Sequence, residues 1–583
     1  MTDDAPQTTA PLTPAEQDAA FRPAAVTPVA WAEVAAALRA AGQDVRERSA
    51  AAAPEVTGAA LDSRVVRPGD LYVALPGARA HGAAFAAAAR EAGAAGVLTD
   101  GDGVALLAEQ GLGDLPVLEV ESVRAAAGVA AARIYRGGPD AGPRLLGVTG
   151  TNGKTTTSFL AASIVEALGE RSGIIGTILT RAGDRQVPST LTTPESTQLH
   201  ALMALMRQEG VDTAVMEVSS HAVEYRRIAG LHYAVAGFTN LTQDHLDQHG
   251  TMEGYFRAKL GLFEADRTDR AVVVLDGGEG PRWGVETARQ AGAPVTTLAL
   301  GAASPTPGAL AEAHPDVVPD WQVTDLVADG LGHRFALVHA ATGRRLPASV
   351  GLPGLFNVAN AALAALMVLE SIGEDRLDEL AAVLDVPAGT GPLAAAVPGR
   401  MEVVGREPDA VVDFAHNPDG MVQALRALGD ARAAAGRAGR TLIVFGAAGD
   451  RDATKRPLMG RIAAEHADVV IVTDDTPHTE DPAPIRAQVL EGAREEAARA
   501  AAAGREVLVE EFADRAAAIR RAAELAAPED GILVAGRGHE TEMDYDGTLV
   551  PLDDRVALRD ALAARRPGDA QEPGVAGGKV AGK

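Results

Sequence analysis

The densest chemistry in the chain lies in the run Leu145-Leu-Gly-Val-Thr-Gly-Thr-Asn-Gly-Lys-Thr-Thr156. It reads as a buried strand, a Gly-rich turn, and Lys-Thr opening a helix with apolar residues Phe159, Leu160, Ile164, Val165 and Leu168 at helical spacing. Glycines let backbone N–H groups converge, and a helix N-terminus adds partial positive charge, so the run is an oxyanion cradle for a polyphosphate. Gly150, Thr151, Asn152, Gly153, Lys154, Thr155 and Thr156 are therefore candidates to hold ATP, with Lys154 on the β/γ-phosphates and Thr155 on Mg²⁺. The strict pattern asks for glycine where Val148 stands, so the loop is a variant. Phosphoryl transfer also needs ligands for its metal ions. Glu217 ends the strand-like Ala214 to Val218, where a parallel sheet presents its ligands. His245 lies in the His- and Asp-rich loop Asn240-Leu-Thr-Gln-Asp-His-Leu-Asp-Gln-His-Gly250.

The variant Gly-Thr-Asn-Gly-Lys-Thr-Thr loop resembles the Mur ligase and folylpolyglutamate synthetase superfamily. The run Tyr255-Phe-Arg-Ala-Lys-Leu-Gly-Leu-Phe263 is similar to the Mur ligase segment whose lysine is carbamylated. The resemblance implies that Lys259 condenses with CO₂ and that the carbamate bridges to a second Mg²⁺. Arginine cannot do this, and the point carries weight because only five of the 53 cationic residues are lysine: Lys154, Lys259, Lys455, Lys579 and Lys583. Gly354-Leu-Phe-Asn-Val-Ala-Asn-Ala-Ala-Leu363 looks like the adenine-binding segment. The resemblance implies Asn360 as the base contact ahead of Asn357, which is the expected cap of the following helix. Pro398-Gly-Arg-Met-Glu402 and Val411-Val-Asp-Phe-Ala-His-Asn-Pro-Asp-Gly420 resemble the segments that place an Arg on phosphate and an Asp on ribose, here Arg400 and Asp413, with His416 close by.

Leu61-Asp-Ser-Arg-Val-Val-Arg-Pro-Gly-Asp-Leu-Tyr-Val-Ala-Leu-Pro-Gly77, followed by His81-Gly82, is similar to the UDP-binding region of the tripeptide-forming Mur ligases, with Ser63 on the nucleotide sugar. Folylpolyglutamate synthetases lack such a domain. Thr192, Thr193, Ser219 and Arg227 match contacts to a UDP-muramoyl dipeptide, while Tyr225 stands where many members carry Gln. In the last third, Gly449-Asp-Arg-Asp-Ala-Thr-Lys-Arg-Pro457 and Gly536-Arg-Gly-His-Glu540 resemble the family's amino-acid-binding segments, which implies that Arg451, Gly536 and Glu540 face the incoming amino acid and leaves Lys455 beside them without an assigned role. Asp474-Asp-Thr-Pro-His478 departs from the Asp-Asn-Pro-Arg that diaminopimelate-adding members usually carry, leaving Asp475, Thr476 and His478. His lacks the fork and the permanent charge that hold a second carboxylate. The resemblance therefore implies an ATP-dependent ligase that adds L-lysine or L-ornithine, ahead of meso-diaminopimelate, to UDP-N-acetylmuramoyl-L-alanyl-D-glutamate through an acyl phosphate. A folylpolyglutamate synthetase-like ligase and a nucleotide-dependent switch are the competing readings; a switch needs neither a carbamate lysine nor Arg451 and Glu540.

These groups are to be positioned by an α/β protein of three domains. β-branched runs followed by Ala-rich helical segments predict parallel strands at Gly96–Leu98, Leu145–Val148, Ala214–Val218, Ala271–Leu275, Leu442–Phe445, Val469–Thr473 and Ile532–Ala535. Pro/Gly breaks at Pro139–Pro143 and Pro387–Gly399 divide the chain. The expected parts are a disordered leader at 1–24, a UDP-binding α/β domain at 25–140, and a central P-loop ATPase domain with a mainly parallel sheet at 141–395. A Rossmann-like amino-acid-binding domain at 396–565 and a disordered tail at 566–583 complete the chain.

The composition closes off other classes. The chain of 583 residues is 47% hydrophobic and 23% charged, which fits a globular protein. A net charge of −26 argues against a nucleic-acid binder. With no cysteine, thiol catalysis and thiolate metal sites are excluded. The acidic start is unlike a signal peptide, and no apolar run is uninterrupted for a membrane span, so a cytoplasmic monomer acting on small molecules, with no membrane partner, is expected.

Overall fold

The apolar runs of the sequence form strands buried on both faces, as at Thr213–Glu217 and Val469–Thr473, which is the environment of parallel pairing under helices. The computed structural model of the protein describes residues 13–48, 54–77, 79–136, 142–189, 191–329 and 332–565. Three large sheets carry three α/β domains. The first has five strands in the order Arg46–Arg48, Val117–Glu119, Gly96–Thr99, Asp70–Val73 and Gly58–Ala60, parallel except at the Arg46–Arg48 edge. The third has six, in the order Glu402–Arg406, Asp409–Asp413, Gly531–Ala535, Thr441–Phe445, Val469–Thr473 and Leu508–Phe512, parallel except at its first pair.

The central sheet has eleven strands, and its middle decides the function. Ser172–Ile175, Thr213–Glu217, Arg144–Thr149, Tyr233–Phe238, Thr268–Val274, Val295–Ala299 and Trp321–Asp329 lie side by side and parallel, with antiparallel strands beyond them at both flanks. The helix Leu355–Ile372 is long and apolar enough to cross a membrane, the one such helix among the described residues. Here it is an internal brace, with Asn360 to Leu369 buried against the phosphate-loop helix Lys154–Ala167 and the sheet.

The expected leader is overturned from Thr13 onward. Pro14–Phe21 is a helix whose first turn is closed by Thr13 and Glu16 capping one another's backbone N–H groups, a box worth roughly 1 kcal/mol. Phe21 is buried with Leu199 and Leu202 of the central domain. Arg22 reaches Asp18 at 2.7 Å and Asp70 of the first sheet at 2.8 Å. The reason is visible in the sequence, since Thr-Pro-Ala-Glu is a capping box that the compositional view of the leader passed over. The remaining leader (1–12), most of the break near 140, and the tail lie outside the described residues.

Candidate active site

Because Arg144–Thr149 lies between Thr213–Glu217 and Tyr233–Phe238, the C-terminal ends of three parallel strands deliver the Gly-rich loop, Glu217 and Thr239-Asn240 to one spot. The loop depends on two glycines. Gly150 has φ of 147° and Gly153 has φ of 90° at the N-cap of the helix Lys154–Ala167. A Cβ at Gly153 would also stand 2.3 Å from Asn360 Oδ1. Gly153→Ala is therefore expected to weaken ADP binding about 10–100-fold by calorimetry, through backbone strain of a few kcal/mol.

Within the loop the Lys154 ammonium donates to the carbonyls of Gly150 and Thr151, both at 2.9 Å. The Thr155 hydroxyl donates to Glu217 Oε2 at 2.9 Å, and the N–H and hydroxyl of Thr177 donate to the same carboxylate at 2.9 and 3.1 Å. Glu217 is buried. A buried carboxylate and a hydroxyl, both hard oxygens, facing a phosphate cradle fit Mg²⁺. His245, held in a left-handed conformation, borders the same cleft. Burial, helped by His221, Lys259 and Lys154 against the pull of Asp244, pushes its imidazole down to about 4, so the ring is neutral and free to ligate.

Lys259 is 1% exposed, where an ordinary surface lysine would be solvated. Its Nζ donates to Gly150 O at 2.8 Å and sits 4.4 Å from the centre of the Tyr255 ring. Burial first, then the nearby Lys154, hold its amine far below the usual lysine range. An uncharged amine is the form that adds to CO₂.

The nucleotide candidates converge around a cleft of about 420 Å³ lined by Thr151, Lys154, Asn360, Arg400, Asp413 and Arg451. Asn360 Nδ2 donates to Asn357 Oδ1 at 3.1 Å. Asn357 does not cap its helix: Gly354 occupies that position, and the Asn357 amide donates back to Pro353 O at 2.7 Å. The helix starts too early for Asn357 to lie outside its first turn. Arg400 stacks over Phe414 at 4.2 Å and donates to Thr155 Oγ1 at 3.3 Å, and its buried Nε has no protein partner. Asp413 accepts from the N–H groups of Met401 and Ala415 at 2.7 and 2.8 Å.

Asp244 is the residue that sequence reasoning missed. Burial alone would raise its carboxyl, but His416, His245 and Lys455 outweigh burial and hold it well below the usual carboxylate range. The signal was present in the acid-rich loop, though nothing in the sequence marked which acid would face the third domain.

Thr192, Thr193, Ser219 and Arg227 form one wall. The Thr192 and Thr177 hydroxyls are 3.0 Å apart, Thr193 Oγ1 donates to Glu217 O at 2.8 Å, and Ser219 N donates to Thr193 Oγ1 at 3.2 Å. Arg227 pairs with Glu195 at 2.9 Å. The guanidiniums of Arg124 and Arg227 lie 5.5 and 5.8 Å from the centre of the Tyr225 ring, whose hydroxyl accepts from Gln248. Ser63 stands in the first domain, in a single 3₁₀ turn capped by Asp62.

In the third domain Gly536 and Asp475 are so close that a Cβ on the glycine would meet Asp475 Oδ2 at 2.5 Å. Burial and the Asp475 charge raise the nearby Glu540 carboxyl to about 7. Thr476 N donates to Asp475 Oδ1 at 2.7 Å, and the Thr476 hydroxyl is buried without a partner. Arg451 is exposed and faces the nucleotide cleft.

A phosphate loop on a parallel sheet, roofed by a third α/β domain that carries its own carboxylate pocket, defines an ATP-dependent ligase. Residues 55–135 match the Mur ligase family catalytic domain, 148–368 the Mur ligase middle domain, and 399–538 the Mur ligase glutamate ligase domain. The chain belongs to the Mur ligase family, whose members use ATP and Mg²⁺ to form peptide bonds in peptidoglycan precursors. It is 45% identical over 513 residues to the UDP-N-acetylmuramyl-tripeptide synthetase of Leifsonia xyli subsp. xyli, covering 87% of this chain and 92% of that protein. It is 42% identical over 543 residues to the UDP-N-acetylmuramoyl-L-alanyl-D-glutamate–2,6-diaminopimelate ligase of Streptomyces avermitilis, covering 93% and 98%. A solved structure of a ligase of that second name aligns with a TM-score of 0.58 at 29% identity, over 92% of this chain and 99% of the other.

Proposed function

We propose that this ligase joins L-lysine or L-ornithine to the D-glutamate γ-carboxylate of UDP-N-acetylmuramoyl-L-alanyl-D-glutamate. The observation that carries the choice of amino acid is the setting of His478. Its Nδ1 lies 3.1 Å from Asp544 Oδ2, and its N–H donates to Asp544 O at 3.0 Å. Asp450 stands on the other side of the same turn, accepting from Thr479 N at 3.0 Å. Where an Arg fork would grip a second carboxylate, this chain puts an imidazole already engaged by an acid. A carboxylate arriving there meets negative charge, whereas an ammonium is welcome. The opposite choice, a diaminopimelate, is favoured by the name of the Streptomyces relative, a 2,6-diaminopimelate ligase. Phosphate release with the UDP-muramoyl dipeptide, ATP and each amino acid in turn decides between them. A preference for meso-diaminopimelate sinks the reading.

In the proposed reaction the side chains take the following roles. Lys154 and Arg400 hold the phosphates, Asn360 the adenine and Asp413 the ribose. Ser63, Thr192, Thr193, Ser219 and Arg227 hold the UDP-muramoyl dipeptide. Thr155, Glu217, His245 and the carbamate of Lys259 would hold two Mg²⁺ ions, which supply charge neutralisation across the phosphates. The neutral Lys259 amine adds to the carbon of CO₂ and releases one proton, leaving an anionic carbamate. A γ-carboxylate oxygen attacks the γ-phosphorus and ADP leaves. The amine of the incoming amino acid attacks the resulting acyl phosphate, phosphate leaves, and the amine gives up a proton. Little of this is covalent work for the protein; it is positioning and charge.

Glu540 and Asp475 would receive the cationic end of the amino acid. With its carboxyl at about 7, Glu540 becomes anionic as pH rises through neutrality, so the amino-acid KM is expected to fall over that range. Folding stability moves the other way. Because the folded-state value lies above the ordinary 4.5, the native protein binds the extra proton between the two, and stability is lost as pH rises through that window. Glu540→Gln should flatten both dependences, read as KM and melting temperature against pH, and should raise KM throughout.

A further inference from the structure

Among the described residues, every ion pair that joins the central domain to the third ends on Asp244. Lys455 Nζ lies 4.0 Å from Asp244 Oδ1, and His416 Nε2 lies 3.7 Å from Oδ2. Asn417 Nδ2 adds a contact to Oδ2 at 3.5 Å. Asp244 and Lys455 are 7% and 9% exposed, so the pair is closed off from the solvent that would screen it. The other contacts between the two domains around the loop are uncharged or singly charged: Asn152 to Asp419 at 2.8 Å, Asn417 to Asn152 at 3.2 Å, and Arg400 to Thr155 at 3.3 Å. Lys455 is also one of three lysines in a body that otherwise uses arginine.

We propose that Lys455 is a positioning residue that acts through Asp244, holding the third domain in register over the phosphate loop. Lys455 opens the helix Lys455–His466, which directly follows the loop carrying Arg451. The adjoining strand Val469–Thr473 leads into Asp475. Fixing the first residue of that helix against Asp244 thus fixes the distance between the amino-acid pocket and the acyl phosphate formed at the loop. Lys455 does not line the nucleotide cleft, whereas Asp244 and His416 do. The lysine therefore works on the reaction from behind the carboxylate.

The test is a double-mutant cycle on the full chain with Lys455→Gln, Asp244→Asn and the pair, using phosphate release with whichever amino acid supports turnover. Each single change should lower kcat about 10–100-fold, because misplacement of about 1 Å costs that much. The double variant should be no worse than the more damaging single, since both break one contact. ADP affinity of Lys455→Gln, carried by the phosphate loop, should stay within about threefold, while its ADP-bound radius of gyration by X-ray scattering exceeds that of the parent. Losses that multiply in the double variant would overturn the proposal. So would an unchanged kcat in Lys455→Gln, or a large loss of ADP affinity with an unchanged radius, which would make Lys455 a phosphate ligand. Should Asp244→Asn fail to fold, the affinity and radius of Lys455→Gln decide alone.

Discussion

Lys259→Ala is expected to lower kcat by at least about 10³-fold, because it removes the anionic metal ligand that the proposed carbamate would supply. Lys259→Arg is expected to fail as badly. The site has no use for a second permanent cation: Lys259 is buried beside Lys154, and its neighbours drive the amine toward the neutral form. A guanidinium stays charged and does not add to CO₂. High bicarbonate should rescue neither variant, since the acceptor nitrogen is what has been lost. The parent protein should show by intact mass or ¹³C labelling the addition of one CO₂, absent from both variants. Full activity in Lys259→Ala would remove the carbamate from the mechanism.

The second large effect is on selectivity. His478→Arg should raise kcat/KM for meso-diaminopimelate about 10–100-fold and lower it for L-lysine, since a charge-assisted hydrogen bond is worth roughly 1.5–3 kcal/mol. Asp544 would compete for the new guanidinium, because it already holds His478 at 3.1 Å. Combining the change with Asp544→Asn should therefore widen the gain. Competition assays with the two amino acids at equal concentration read this directly. If the parent already prefers meso-diaminopimelate and His478→Arg changes nothing, the distal pocket is elsewhere.

How much of this was legible in the chain itself differs by the kind of signal. Strands such as Val469–Thr473 were readable because burial on both faces demands an unbroken apolar run. The phosphate loop was readable because its glycines and Lys-Thr are local in sequence. The helix Pro14–Phe21 was not, because Pro and Thr in a polar segment weigh toward disorder until the capping box is noticed. Asp244 was invisible for another reason. Its importance lies in residues some 170 to 210 positions later, and only the fold brings His416 and Lys455 to it. Asn357 shows the same limit at short range, where the cap, Gly354, lies three residues before the expected one.

The Arg22 bridge makes the three domains unequal. Buried Phe21 and the Asp18–Arg22–Asp70 chain tie the first domain to the central one in a dry joint, whereas the third domain is met mostly by polar groups around one carboxylate. The first joint is buried, and the second is chiefly polar with Phe356 packed against the third domain's core. On the proposed function, the domain that takes the sugar nucleotide is thereby held to the phosphate loop's domain by buried contacts, and the domain that takes the amino acid by polar ones.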